Sequence, residues 1–225
     1  MEVREQNYAE EMHMDGDKPA KARRIDKQRY LSRDFLHREN ERLWPRVWQV
    51  ACRLEEIPIP GSFVTYDIGD ESIIVVRTNE TTIRAFHNAC PHRGRQLISG
   101  CGSTNNFRCP YHGWTFNLEG KNIYVHDRED FGESLVIDEL SLQAVNVDTW
   151  AGFVFINMNT ACEPLQEFLS PLPEYLDPFE LENMRYRWYA TAIMPANWKT
   201  TLEAFMEGYH VAATHPQIMP YLGDA

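Results

Sequence analysis

From Asp26 to Trp48 the apolar positions Tyr30, Phe35, Leu36, Leu43, Val47 and Trp48 recur at helical spacing. This predicts a helix over 35–43, with Ser32 or Asp34 as its cap and Pro45 ending it or opening another turn. Beyond Trp48 the period changes. Short apolar runs at 47–51, 63–68, 72–77, 83–87, 115–117 and 151–157 alternate with turn-forming residues. The turns are Ile59-Pro60-Gly61, Gly69-Asp70, Asn79-Glu80, Leu118-Glu119-Gly120-Lys121 and Asp148-Thr149. Such runs predict strands of an antiparallel β-sandwich or small barrel. Over 164–183, Pro164, Pro171, Pro173 and Pro178 predict a stiff connector of short helical turns, because proline fixes its backbone dihedral and removes a donor. A strand is expected over 185–193 and stops at Pro195. A helix capped by Asn197 follows, with Trp198, Thr201, Leu202, Phe205, Met206 and Tyr209 at helical spacing. Residues 1–24 lack apolar periodicity and read as a mobile tail. The fold class is therefore α+β. The expected domains are a tail and helix over 1–45, a sandwich domain over 46–160, and a connector with the start of another domain over 161–225.

Composition narrows the function. The chain has 225 residues, 43% hydrophobic and 24% charged, with a formal net charge of −11. That charge argues against nucleic acid, whose phosphates need clustered Lys and Arg. No apolar run is long enough to span a membrane and the N-terminus lacks an apolar leader, so a cytoplasmic protein with no membrane partner is expected. Five cysteines do not describe a disulfide scaffold. Cys101 reads as a half-buried small residue and His37 as a solvated or capping one.

Two short loops carry the chemistry. Cys90-Pro91-His92-Arg93-Gly94 and Cys109-Pro110-Tyr111-His112-Gly113-Trp114 each offer one thiol and one imidazole, with residues 93–108 between the two His/Cys sets. A structural zinc finger usually draws paired thiols from one knuckle and paired imidazoles from another. Mixed loops suit a binuclear iron-sulfur cluster in which two His replace two Cys on one iron. Zinc remains the competing reading. The two loops resemble the Rieske motif of ring-hydroxylating oxygenases, over roughly residues 46–160. The resemblance implies a [2Fe-2S] cluster held by Cys90, His92, Cys109 and His112, at a potential of about −150 to +300 mV. In respiratory Rieske proteins each loop carries an extra Cys, and these two form a disulfide; here those positions are Arg95 and Tyr111, which points to the oxygenase and ferredoxin branch.

A second set of ligand-type residues lies near the C-terminal end. Glu207 and His210 are three apart on the expected helix, and His215-Pro216 follows. Non-haem iron that activates dioxygen takes two His and one carboxylate on one face. Asn197-Trp198-Lys199, Glu207-Gly208-Tyr209-His210 and His215-Pro216 resemble the catalytic helix of Rieske oxygenase large subunits. The resemblance implies that His210 and His215 bind mononuclear Fe(II). It implies too that Glu207 bridges the two centres electronically, where the family most often has Asp and carnitine monooxygenase-like relatives have Glu. His112 is the expected contact to Glu207, from a neighbouring subunit. The family's third iron ligand is a downstream Asp; only Asp224 follows His215 as a carboxylate and nothing matches it to that position. The remaining domain would be helix-grip (START-like), and the chain covers its start only, as a truncation or a natural short form. Trp188, Trp198, Phe205, Met206 and Tyr209 would then lack a partner surface.

The same resemblance implies an oxidoreductase, a monooxygenase or dioxygenase of aromatic hydrocarbon catabolism. It would be fed by NAD(P)H through a reductase and in some systems a ferredoxin. Its reactants would be O2 and a small substrate, aromatic by the family's usual chemistry, with Glu207 keeping quaternary-amine demethylation open. The expected assembly is a homotrimer or an alpha3beta3 complex. An electron-transfer module with an incomplete mononuclear site is the alternative.

Overall fold

The computed structural model describes residues 25–134, 136 and 140–221. The expected tail over 1–24 and Asp224 lie outside them. Two short helices come first, α1 (Gln28–Leu31) and α2 (Arg33–Arg42). Ser32 starts α2, its Oγ accepting from the Phe35 N–H at 3.3 Å. Pro45 falls in a single 3-10 turn, Trp44–Arg46, that closes the segment.

Ten strands follow: β1 (Gln49–Arg53), β2 (Ser62–Ile68), β3 (Glu71–Arg77), β4 (Ile83–His87), β5 (Cys101–Ser103), β6 (Phe107–Arg108), β7 (Thr115–Phe116), β8 (Asn122–Tyr124), β9 (Ala144–Trp150) and β10 (Phe153–Asn157). Seven form one antiparallel sheet in the order β1-β10-β9-β4-β3-β2-β5, and β6-β7-β8 form another. β3 explains how the layers stack. Its residues Ile73 and Val75 enter a core with Cys52, Ile57, Val64, Val145, Val154 and Ile156. Its alternate residues Ile74 and Val76 enter a second core with Phe63, Phe86, Phe107, Trp114 and Phe116. Both faces are covered, so the strand reads as a continuous apolar run rather than an alternating one. The second core also holds Cys90 and Cys109, which places the two Cys/His loops where the small sheet meets the large one.

Four strands escaped the sequence reading. β5, β6 and β8 are too short to show a period. β9 runs through Asp148-Thr149, which is not a turn. There the Asp148 carboxylate accepts from the Thr149 N–H at 2.7 Å, a turn-like bond made inside a strand. The hairpin is instead at Ala151-Gly152, both with positive φ (52° and 81°), between the paired residues Trp150 and Phe153. Two such residues give the primed turn that matches strand twist.

The proline-rich stretch forms α3 (Leu165–Leu169), α4 (Leu172–Leu176) and two 3-10 turns, as its composition predicts. Leu165 anchors it, fully buried against Trp48 and Phe155. Arg53 holds its far end, donating to the carbonyls of Leu181 (3.2 Å) and Met184 (2.8 Å). The strand expected over 185–193 does not form. Every residue there is exposed and no strand of the described residues lies beside it, so its backbone has no ladder to join.

The chain divides into two compact units, Leu36–Ile193 and a smaller one combining Met1–Phe35 with Met194–Ala225. In the smaller unit α5 (Trp198–Glu203) starts at Asn197, whose side chain accepts from the Lys199 N–H at 3.0 Å. The same side chain donates to the Tyr30 carbonyl (3.0 Å), and the Tyr30 hydroxyl donates to Glu203 (2.6 Å). The helix expected to reach Tyr209 stops at Glu203, and α6 (Val211–Thr214) is a separate turn. Phe205, Met206 and Tyr209 are 84%, 74% and 96% exposed, so no packed face sustains the helix past Glu203. No helix of the described residues is long and apolar enough to cross a membrane.

Candidate metal centres

The first loop follows β4 and the second joins β6 to β7, and both are closed by the same bonds. The Gly94 N–H donates to the Cys90 carbonyl (2.7 Å) and the Gly113 N–H to the Cys109 carbonyl (3.0 Å). The Cys90 N–H donates to the Arg95 carbonyl (2.9 Å) and the Cys109 N–H to the Trp114 carbonyl (2.8 Å). Each glycine adopts positive φ, 67° at Gly94 and 72° at Gly113, where a Cβ would be strained. The equal Cys-to-Gly spacing of the two motifs was a visible sign of this plan.

The donors face one another. Cys90 and Cys109 are 2% and 3% exposed, and their thiols are in hydrogen-bonding contact. Burial pushes the Cys90 thiol up, opposed by backbone N–H groups of His92 and Arg93 aimed at its sulfur. The His92 and His112 rings lie 4.6 Å apart, and the His92 ring stacks on Trp114 at 4.6 Å and 8°. Tyr111 stacks on His112 at 3.8 Å. Burial, then His112, lowers the His92 pKa, which keeps that ring neutral and ligand-ready. Its Nδ1 is buried with no hydrogen-bond partner among the described residues. Buried polar atoms are rarely left unpaired, and a ligating nitrogen is one reason for the exception. Two buried thiols and two imidazoles, one with an orphan nitrogen, fit a [2Fe-2S] group. Among the described residues no three His, Cys, Asp or Glu side chains converge to hold a single ion. A binuclear group asks for two pairs instead.

Sequence reasoning found these four side chains but not their surroundings. The sulfur-directed N–H groups and the stacking of Trp114 on His92 left no sequence signal beyond proximity. Cys101 is exposed on β5, where the sequence suggested half-burial, because β5 is an edge strand.

Glu207, His210 and His215 come together, though not on a helix face. Glu207 lies in the turn between α5 and α6. One of its carboxylate oxygens accepts from the His210 N–H (3.1 Å) and the other meets the His210 Nδ1 (2.6 Å). The ring bond holds the Glu207 carboxyl below the usual carboxylate range. It also leaves the His210 Nε2 as the nitrogen free to ligate, the usual arrangement of a carboxylate behind a metal-binding histidine. His215 lies edge-to-face with His210 at 5.6 Å. Two imidazoles fit an iron site in part, and its third protein ligand is not among the described residues.

Residues 47–135 match the Rieske [2Fe-2S] domain family, and residues 179–222 match the catalytic domain of ring-hydroxylating alpha subunits. The chain belongs to the Rieske oxygenase large subunits. It is 31% identical over 194 residues to the glycine betaine monooxygenase oxygenase subunit of Pseudomonas aeruginosa (strain UCBPP-PA14), covering 86% of this chain and 45% of that one. It is 33% identical over 189 residues to the large oxygenase component of the naphthalene 1,2-dioxygenase system of Pseudomonas putida, covering 81% and 42%. A quaternary ammonium Rieske monooxygenase solved with L-carnitine superposes with a TM-score of 0.77 at 32% identity, covering 83% of this chain and 54% of that one. The chain spans about half the length of these Rieske oxygenase relatives. The cofactors of this Rieske oxygenase family are a Rieske cluster and mononuclear iron, with electrons supplied by a reductase.

Proposed function

We propose that this Rieske oxygenase chain works in an oxygenase component, with Cys90, His92, Cys109 and His112 holding the [2Fe-2S] cluster and His210 and His215 holding iron. The observation that carries this reading is the pair of loops closed by one bonding plan around two buried thiols and two facing imidazoles. Bound there, the cluster supplies one-electron transfer, and the mononuclear iron supplies activation of dioxygen. The N–H groups of His92 and Arg93 stabilise negative charge on the Cys90 sulfur, which favours electron uptake. Glu207 fixes the His210 ring and, in this proposal, meets His112 of a neighbouring copy. Residues 46–160 form the cluster domain, with the connector and catalytic region from 161 onward. A reductase oxidising NAD(P)H, with or without a ferredoxin, is the electron source, and the assembly is a homotrimer or an alpha3beta3 complex.

For substrate we infer a quaternary ammonium compound that is hydroxylated or demethylated. The glycine betaine relative, the structure solved with L-carnitine and a Glu rather than Asp at 207 support this, while the naphthalene relative makes an aromatic the competing outcome. A second reading, an electron-transfer module, is favoured by one observation: among the described residues only two imidazoles are assembled at the second site. Iron analysis separates the two. Three irons per chain, falling to two in His210→Ala/His215→Ala with the cluster spectrum unchanged, supports the oxygenase reading. Two irons in both proteins supports the module.

A further inference from the structure

The two Cys/His loops share their inner bonds but differ at the base. The second is the loop of a hairpin: Phe107 pairs with Phe116 and Arg108 with Thr115, so the ladder of β6 and β7 closes it directly behind Cys109 and Trp114. The first leaves β4 after His87 and returns through residues 94–99, which form no strand. One side chain closes it instead. The Asn88 Oδ1 accepts from the N–H groups of Leu97 (3.0 Å) and Ile98 (3.2 Å), and its Nδ2 donates to the Ile98 carbonyl (2.7 Å) and the Ser72 hydroxyl (3.1 Å). The two backbone donors on one side fix which end of the amide is oxygen. The Asn88 N–H donates to the Ser72 carbonyl at 2.8 Å, tying this hub to the start of β3. A primary amide offers the donor and acceptor of a peptide group, so Asn88 supplies the rungs that a paired strand would. Asn88 is 3% exposed and Leu97 7%, so solvent does not replace those rungs.

We propose that Asn88 is a positioning residue for the cluster: it fixes the return arm of the first loop and, through that arm, the placement of Cys90 and His92. This rests on the reading that the loops hold a [2Fe-2S] group. The path is short. Leu97 and Ile98 are held to Asn88, the same arm carries the Arg95 carbonyl, and that carbonyl accepts from the Cys90 N–H at 2.9 Å. Cys90 also follows Asn88 closely in the chain, so one side chain draws the loop closed from both of its ends. Without it, the N–H groups of Leu97 and Ile98 and the Ile98 carbonyl lose their partners inside a packed arm, which must then move to recover them. The second loop keeps its ladder. The disturbance therefore falls on one thiol and one imidazole, and groups that orient a ligand also tune the metal behind it.

The test uses the full chain and reads the cluster twice: by electron paramagnetic resonance after dithionite, and by the loss of visible absorption to an iron chelator. Asn88→Ala should shift the g values of the reduced cluster and speed its loss roughly tenfold. Ser72→Ala removes the hydroxyl that accepts from the Asn88 Nδ2 and should move both readouts the same way by less. Asn157→Ala is the control. That side chain, at the end of β10, is 1% exposed and accepts from the Asn159 N–H at 2.9 Å, outside the core that contains Cys90. Its loss should lower thermal stability and leave the g values and the rate of cluster loss at the parent's values. Parental values in both Asn88→Ala and Ser72→Ala overturn the proposal. So does an equal change in Asn157→Ala, because Asn88 would then serve stability alone. Should Asn88→Ala fail to fold, parental values in Ser72→Ala overturn the proposal by themselves. A parent chain without a cluster spectrum defeats the function above and this role with it, whereas a Rieske spectrum that the variants leave unaltered defeats only the role of Asn88.

Discussion

The two candidate centres are built in opposite ways. The cluster loops are closed on themselves: each is pinned by two backbone bonds, backed by a core containing Phe63, Phe107 and Phe116, and stacked through Trp114. The second centre is held by one carboxylate on one histidine, in a turn flanked by Phe205, Met206 and Tyr209, whose side chains point into solvent. A site enclosed by a packed core owes its geometry to the whole domain. A site on a turn owes its geometry to its few local bonds.

The largest effect should follow from removing a buried thiol. Cys90→Ser or Cys109→Ser should abolish the visible absorption and reduced electron paramagnetic resonance signal of the cluster. Retention of that signal in either variant would break the four-ligand reading. Trp114→Ala should come next, costing about 3–5 kcal/mol in denaturant unfolding, because a large side chain leaves a core and the His92 ring loses its support. Gly94→Ala and Gly113→Ala should each cost about 1–2 kcal/mol, since both occupy the left-handed region, with the Arg108 guanidinium 3.3 Å from the added Cβ making Gly113 the costlier. No loss at either position would contradict the shared loop plan. At the other region Phe205→Ala should shift stability by less than about 0.5 kcal/mol, consistent with its 84% exposure.

A pair of thiols outside both centres sharpens the contrast between buried and open positions. Burial pushes Cys52 up to about 12, while Cys101 is exposed. At neutral pH a maleimide should label Cys101 and spare Cys52. Because the folded pKa of Cys52 lies above the ordinary thiol value of 9.0, its contribution to stability should hold below that value. It should be lost as the pH climbs from there towards 12. Equal labelling of both thiols would contradict the buried assignment.

The sequence was most legible where local chemistry and tertiary structure agree. Asn79-Glu80 forms the loop between β3 and β4 because the Asn79 side chain accepts from the Thr81 and Thr82 N–H groups, an interaction written in adjacent residues. The proposed cluster ligands were legible as a set for the same reason, since each loop keeps its Cys, His and Gly within a few residues. β9 was hidden because Asp148-Thr149 imitates a turn within a strand. The 185–193 and 204–209 segments misled for a different reason. Their alternating or helical apolar patterns describe a face that must be buried, and among the described residues nothing buries it. Arg53 was unreadable in principle: its carbonyl partners lie more than a hundred residues away, and no local pattern announces such a contact.

Whether the paired loops hold iron and sulfide decides between an electron-transferring centre and a structural metal. The direct measurement is electron paramagnetic resonance of the purified chain after dithionite reduction, with metal and acid-labile sulfide analysis of the same sample. The expected result is a Rieske-type signal with two labile sulfides per chain, lost in Cys109→Ser. A colourless, silent protein carrying one zinc per chain would contradict it.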